Sequence, residues 1–111
     1  MTENDLPATI ATYLTAHKER DAATALKAFA DDAVVTDEGE TYRGLDEIGH
    51  WLASAGTEFT FTTDFVGATT PEPSRYDVVQ HLEGDFPGGV ADLHFRFTMD
   101  GDLIGRLVIE P

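Results

Sequence analysis

The segment 29–52, FADDAVVTDEGETYRGLDEIGHWL, combines a short apolar strand, a tight turn and the start of a helix. Residues 33–36 predict the strand, and residues 37–40 predict the turn that follows it. Gly44 then opens a helix whose first turn is acidic, which the helix dipole favours. A lone carboxylate, Asp37, therefore lies at the end of an otherwise apolar strand.

Asp37 has two possible roles at this position. As a turn residue, its side chain would accept hydrogen bonds from backbone amides ahead of Gly39. As a group in an apolar pocket, its charged form would be disfavoured, and its pKa would rise toward the range that suits proton abstraction. The pattern of residues alone leaves both roles open.

Composition and charge limit the classes of function. The chain has 111 residues, 41% of them hydrophobic and 10% aromatic, which predicts one domain over residues 1–111 with one core. Seven basic residues stand against 21 acidic ones, so the formal charge is -14. That field repels nucleic acids and anionic membrane surfaces, and we expect neither as a partner.

The chain contains no cysteine, which rules out disulfides, thiolate nucleophiles and cysteine-ligated zinc. The first residues, MTENDLPATIATYL, are acidic and polar, without a basic region followed by an apolar run. We therefore expect no signal peptide and no membrane span, and a cytoplasmic location.

The N-terminal half has the spacing of helices. The first helix is predicted by residues that recur at helical spacing: Leu6, Ile10, Tyr13, Leu14 and His17. Asp21 predicts the cap of a second helix that extends to Phe29 on its inner face. The third helix presents Trp51 inward and ends at Gly56. His17 and His50 are expected to be ordinary, partly exposed helical residues.

Beyond Gly56 the period changes from 3.6 to 2, because Phe59, Phe61 and Phe65 alternate with polar neighbours. Residues 69–74 predict a loop, and three further strands are predicted at 75–83, 90–99 and 103–109. Helices first and long antiparallel strands afterwards are typical of an α+β domain.

Three features of the chain together resemble the nuclear transport factor 2-like superfamily, and within it the SnoaL-like polyketide cyclases and ketosteroid isomerases. They are the run 29–33, the single Asp37, and the run 42–44 before a helix. The resemblance implies a cone in which three N-terminal helices pack on a strongly curved, mainly antiparallel sheet. It also implies an apolar pocket at the open end of the cone.

The resemblance further implies roles for two residues. In ketosteroid isomerases, an Asp after the first short strand takes and returns a proton, and a Tyr on the first helix hydrogen-bonds the oxyanion. Asp37 and Tyr13, 24 residues before it, stand at matching places. The second oxyanion donor of the isomerases falls on Leu93 here, and its neighbour Asp92 should face the other way.

The expected function is a pocket that takes a small, hydrophobic, neutral molecule. The catalytic alternative is a cofactor-free isomerase, cyclase or dehydratase that uses Asp37 as the base on a carbonyl compound. The other is a non-catalytic ligand-binding or dimerisation module of the same fold. The residues expected to line the pocket are Phe29, Trp51, Phe61, Phe65, Leu82, Leu93, Phe95 and Phe97.

If the hairpin of residues 75–99 is symmetric about Pro87 and Gly88, His81 lies opposite His94 on the neighbouring strand. This register places both histidines on the outer face of the sheet, whereas a slip of one residue would place both in the pocket. With Val79 and Arg96 they would form a homodimer interface that weakens as the pH falls and the histidines charge. Two histidines are too few for a metal site, and we expect none.

Overall fold

The computed structural model describes residues 5–55 and 61–111 of the chain. Helices precede most of the strands, which confirms the predicted α+β class. The elements in chain order are α1 (Ala8–Glu19), α2 (Ala22–Leu26), β1 (Phe29–Asp37), β2 (Glu40–Arg43), α3 (Gly44–Ala55), β3 (Phe61–Glu72), β4 (Arg75–Gly84), β5 (Val90–Asp100) and β6 (Leu103–Glu110).

The strands form a single curved sheet in the order β2-β1-β6-β5-β4-β3. The β1–β6 pair is parallel and the other four pairs are antiparallel, so the sheet is mainly antiparallel as predicted. The parallel pair joins the N-terminal strand to the last one, with Val35 opposite Leu107 and Asp37 opposite Ile109. This pairing places β1 between the edge strand β2 and β6.

The core lies between the helices and one face of the sheet. Its largest fully buried side chains are Tyr13, Phe95, Phe97, Ile10, Ile48, Ile104, Leu107, Val35 and Val78. Burial of an aliphatic or aromatic side chain of this size contributes about 1.5 to 3 kcal/mol. The helices are therefore held on the sheet mainly by apolar contacts that the alternating strand pattern supplies.

The second helix is shorter than its sequence pattern predicts. Asp21 does cap it, since its Oδ1 accepts from the backbone N–H of Thr24 at 3.2 Å. The prediction that Phe29 belongs to the inner face of this helix is wrong, because Phe29 is the first residue of β1. The backbone carbonyl of Ala28 accepts from the N–H of Ile104 at 2.8 Å, so the chain already follows β6 there.

The prediction of a loop over residues 69–74 is also wrong. Strand β3 continues to Glu72 and β4 begins at Arg75, which leaves only Pro73 and Ser74 as the turn. Pro71 is tolerated inside β3 because β3 is an edge strand and its register shifts between Thr69 and Glu72. Two prolines in six residues suggested a break that an edge strand does not require.

The predicted register of the β4–β5 hairpin is wrong by two residues. His81 lies opposite Asp92, and His94 lies opposite Val79. The N–H of Gly84 bonds the carbonyl of Gly89 at 2.9 Å, so the loop comprises the four residues 85–88. Its centre lies one residue earlier than Pro87–Gly88. This moves every pair by two, and the outward face of both histidines is kept.

Two predicted features lie outside the described residues: the end of α3 at Gly56, and Phe59 at the start of the third strand. Within residues 5–55 and 61–111, no helix is long and apolar enough to cross a membrane.

Candidate functional site

A cavity of about 640 Å³ opens between α1, α3 and the concave face of the sheet. This volume lies within the range of about 300 to 1,000 Å³ that is usual for small-molecule sites. Its lining consists of His17, Asp37, Glu38, Tyr42, Trp51, Ser54, Phe61, Leu82, Phe86, Pro87, Ala91, Leu93, Phe95 and Ile109.

The turn after β1 fixes Asp37 at the margin of this cavity. Asp37 pairs with Glu40 across the turn, and Glu38 and Gly39 both have positive φ, at 53° and 79°. Two successive positive φ values are typical of a type I′ hairpin turn, which favours glycine at its second central position. Because β6 pairs with β1 on its other side, the backbone of Asp37 is held by both neighbouring strands.

The carboxylate of Asp37 is half-buried and accepts a hydrogen bond from Trp51. The indole Nε1 of Trp51, on α3, donates to Oδ2 of Asp37 at 3.0 Å. Burial raises the pKa of Asp37 above its usual value, and the hydrogen bonds from Trp51 and from the backbone amide of Glu38 oppose that rise. Asp37 thus has the backbone contact of a turn residue and the burial of a pocket residue.

Tyr42 completes the wall beside Trp51. The two rings lie 6.1 Å apart at an angle of 31°, and the hydroxyl of Tyr42 donates to Oε2 of Glu40 at 3.1 Å. This contact spans β2 and α3, so it supports the indole that holds Asp37. Tyr42 was not among the residues predicted to line the pocket, although it lies two residues before the helix that carries Trp51.

Tyr13 is fully buried next to the cavity but does not line it. Its ring makes edge-on contacts with Phe29 and Phe97, at 5.5 and 5.6 Å between centroids. Among the described residues, its hydroxyl has no hydrogen-bond partner. Burial, and to a lesser extent the charge of Asp37, raise the pKa of Tyr13, so the hydroxyl stays protonated at neutral pH.

His17 does line the cavity, one helical turn after Tyr13 on the same face of α1. Its ring contacts Tyr13 and Phe95, each at 5.8 Å between centroids, and its buried Nδ1 has no partner within the part of the chain that the structure describes. Burial, with a smaller effect from the charge of Arg20, lowers the pKa of His17. His17 was predicted to be an ordinary, partly exposed residue, although its position four residues after Tyr13 places it on the same face of α1.

The predicted lining residues divide into two groups. Trp51, Phe61, Leu82, Leu93 and Phe95 line the cavity. The other three residues belong to the surrounding core and do not line the cavity. Phe29 and Phe97 enclose the ring of Tyr13, and Phe65 packs against the buried cluster. The cavity therefore lies toward one end of the core.

The cavity is lined mainly by apolar side chains, and its charged side chains are acidic. The carboxylates of Asp37 and Glu38 line it, and within the described chain neither Lys nor Arg does. Leu93, where the resemblance predicted the isomerases' second donor to fall, contributes an apolar side chain to the lining. Asp92 instead bonds His81 on the outer face, as its predicted orientation required.

The outer face carries two histidine–carboxylate clusters. Nδ1 of His81 lies 2.6 Å from Oδ1 of Asp92, and Nδ1 of His94 lies 2.8 Å from Oδ1 of Asp77. The predicted His81–His94 pair is therefore wrong, because the four-residue loop places a carboxylate beside each ring. Among the described residues, no group of three or more ligating side chains is arranged to hold a metal ion.

Comparison with known proteins gives matches among solved structures. No protein-family model and no curated protein matches the chain. A provisionally assigned polyketide cyclase from Sinorhizobium meliloti is 29% identical, with a TM-score of 0.92 over 99% of this chain and 100% of that one. The Δ5-3-ketosteroid isomerase from a Mycobacterium species is 19% identical, with a TM-score of 0.75 over 94% of this chain and 90% of that one.

A third structure matches by fold. An NTF2-like protein of unknown function from Cytophaga hutchinsonii is 10% identical, with a TM-score of 0.74 over 99% of this chain and 89% of that one. At this identity and that of the isomerase, the likeness is one of fold alone. All three structures are covered over nearly their full length, so the shared fold includes both the helices and the sheet.

Proposed function

We propose that the chain, which has the nuclear transport factor 2-like fold, catalyses cofactor-free proton transfer on a small, neutral, hydrophobic carbonyl compound. Isomerisation, aldol-type cyclisation and dehydration all begin with such a step. Asp37 is the proposed base, and Tyr13 is a proposed hydrogen-bond donor.

One observation carries this proposal: the half-buried carboxylate of Asp37 lies in the wall of a cavity that is otherwise mainly apolar. A carboxylate on an exposed turn would be a weak base, because its pKa stays near the usual value of about 3.9. Burial makes the charged form less favourable and the carboxylate a better proton acceptor. The bond from Trp51 holds its oxygen in a fixed orientation.

In the proposed reaction, Asp37 removes a proton from the carbon next to the carbonyl group. The electron pair of the C–H bond moves into the new C–C double bond, and the carbonyl oxygen gains negative charge. Hydrogen-bond donors stabilise that oxygen, and Asp37 then returns the proton to carbon or to a leaving oxygen. The hydroxyl of Tyr13 is protonated and has no partner in residues 5–55 and 61–111, as a donor requires, although a ligand must reach beyond the present cavity wall to contact it.

The ketone 2-tetralone provides a test that does not require the natural substrate. Its acidic C–H groups exchange with deuterium in D₂O, and NMR follows their loss. We expect the protein to accelerate exchange, and Asp37→Asn to reduce that acceleration at least about a hundredfold, the lower range for a general base. Asp92→Asn on the outer face is the matched control and should exchange at the wild-type rate.

Equal exchange rates for wild type and Asp37→Asn would show that Asp37 is not the base. Binding of 2-tetralone without any acceleration would favour the non-catalytic ligand-binding module instead. Tyr13→Phe separates the second role, since loss of a donor should slow exchange while leaving the carboxylate in place.

We also propose a homodimer through the outer face of the sheet, around Val79, His81, His94 and Arg96. The described surface there is a network of charged and polar groups, and Arg96 bonds both Asp77 and Glu110. Complementary ion pairs with a second copy, rather than a large apolar patch, would therefore hold such a dimer together.

A further inference from the structure

We propose that His17 is a second hydrogen-bonding residue of the site, and that its imidazole contacts the carbonyl oxygen of a ligand held in the cavity. The inference rests on the proposed function, because the oxygen is that of the proposed substrate. The hydrogen bond itself can be measured on a bound ligand without any turnover.

The position of His17 is the first support. The resemblance puts the isomerases' second donor at Leu93, whose apolar side chain lines the cavity and cannot donate, so this position of the sheet supplies no donor. Tyr13 is closed off behind the cavity wall. His17 is the residue of α1 that lines the cavity, and it does so from the same helix face one turn further on.

The packing of the imidazole is the second support. Its ring lies 5.8 Å from both Tyr13 and Phe95 and 6.4 Å from Phe61, which surrounds it with aromatic rings. A histidine packed in this way keeps its orientation, as a preorganised donor must. Nδ1 is buried and has no partner among the described residues, so no hydrogen bond there fixes the tautomer, and Nε2 is the ring nitrogen left to carry an N–H toward a ligand.

The protonation state of His17 suits a donor that does not compete for the substrate's proton. Burial and the nearby guanidinium of Arg20 lower its pKa, so the ring is neutral at pH 7. The other ionisable groups that face it are Tyr13 on its own helix and Asp37 and Glu38 across the cavity. A neutral imidazole keeps one N–H and can donate it to an oxygen without transferring the proton.

The chemical class of ligand follows from this arrangement. The substrate needs an acidic C–H that reaches Asp37 and a carbonyl oxygen that reaches His17, with an apolar body against Leu82, Leu93 and Phe95. During the proton transfer, negative charge develops on that oxygen while the proton stays on Asp37. The N–H of His17 strengthens its hydrogen bond as the charge grows, and no proton leaves the ring.

Two ligands that differ only in a hydroxyl group test the hydrogen bond. 2-Naphthol carries an oxygen at the edge of two fused rings, and 2-methylnaphthalene has a methyl group in its place. Titration of wild type, monitored by ligand fluorescence, gives the ratio of the two Kd values. We expect His17→Phe to reduce the preference for 2-naphthol by about tenfold, the upper range for one neutral hydrogen bond.

His17→Gln keeps a hydrogen-bonding group and should restore part of the preference, whereas His50→Gln, on the exposed side of α3, should leave it at the wild-type value. The proposal is overturned if His17→Phe weakens both ligands equally, or if wild type does not prefer 2-naphthol. The effect of His17→Phe on the Kd ratio is measured between proteins that both keep Asp37, so a normal His17 effect together with unchanged 2-tetralone exchange in Asp37→Asn would reject only the proposed function.

Discussion

The indole Nε1 of Trp51 donates a hydrogen bond of 3.0 Å to Oδ2 of Asp37 and thereby ties α3 to the end of β1. The same indole forms part of the apolar wall that desolvates the carboxylate. Trp51 therefore acts on Asp37 in two opposite directions, since desolvation raises the pKa and the hydrogen bond lowers it. The balance between these effects sets how basic Asp37 is.

Removing only the hydrogen bond should make Asp37 more basic. Trp51→Phe keeps an aromatic wall but loses the donor that favours the charged carboxylate, so the pKa of Asp37 should rise relative to wild type. NMR titration of the carboxyl carbon measures it. Tyr42→Phe is the control, because it removes a bond to Glu40 and leaves the Asp37–Trp51 bond intact. A lower or unchanged pKa in Trp51→Phe would show that the indole does not stabilise the charged form.

Asp37 should cost the folded protein stability at neutral pH. Folding raises the pKa of Asp37, so between its unfolded and folded pKa values the folded chain holds a proton that the unfolded chain has released. The free energy of unfolding therefore falls as the pH rises through this interval. This loss in the free energy of unfolding persists at pH 7. Asp37→Asn still offers Trp51 an acceptor oxygen and should raise Tm at pH 7, but not at pH 3. Thermal unfolding at both values decides it, and a lower Tm at pH 7 would contradict it.

The dimer should strengthen as the pH falls from 8 to 6. The sequence alone suggested the opposite, but each outer-face histidine lies beside carboxylates rather than beside the other histidine. Asp92, and then Glu83, raise the pKa of His81, so its protonation, which neutralises part of a negative cluster, begins at a higher pH than for a free imidazole. Fewer net charges at the interface reduce repulsion between chains of charge -14. Sedimentation at both pH values tests it, and a monomer at both rejects the dimer.

Neutral ligands should be preferred over anions of the same shape. An anion entering the cavity loses its hydration and meets Asp37 and Glu38, with no Lys or Arg in the described lining. 2-Acetylnaphthalene and 2-naphthoate form a matched pair. At about ten times its Kd a ligand adds about 1.4 kcal/mol, roughly 4 to 8 °C in Tm for a domain of this size. Equal or greater stabilisation by 2-naphthoate, at constant ionic strength, would contradict the proposed ligand class.

The strand periods and the helix caps made much of the fold predictable. Asp21 was recognised as a cap from its residue type, and the structure shows its bond to Thr24. The faces of the hairpin were also predictable, since alternation fixes which side chains share a face. These features depend on neighbours that are close in the sequence.

The errors have a different origin. Pairing in the β4–β5 hairpin depends on where its loop begins, and Phe86, Pro87, Gly88 and Gly89 allow more than one choice. The bond between Gly84 and Gly89 selects one of them. Pro71 was taken as a break because the sequence does not say that β3 is an edge strand. Each outcome is decided by contacts between distant parts of the chain.

The candidate site was predictable only as far as single residues. Asp37 was found because it interrupts an apolar strand. Its partner Trp51 was seen as a wall residue only, since the bond depends on how α3 lies across β1. His17 was overlooked for the same reason: periodicity placed it on the inward face, but the size and position of the cavity come from the packing of α1 on the sheet.

Whether the cavity turns Asp37 into a base is tested most directly by NMR titration of its carboxyl carbon in the wild-type protein. We predict a pKa above the usual value of 3.8, because burial outweighs the hydrogen bonds from Trp51 and Glu38. The rate of 2-tetralone exchange should then rise with pH through that same pKa. A pKa at or below 3.8 would contradict the proposal that this carboxylate is tuned for proton transfer.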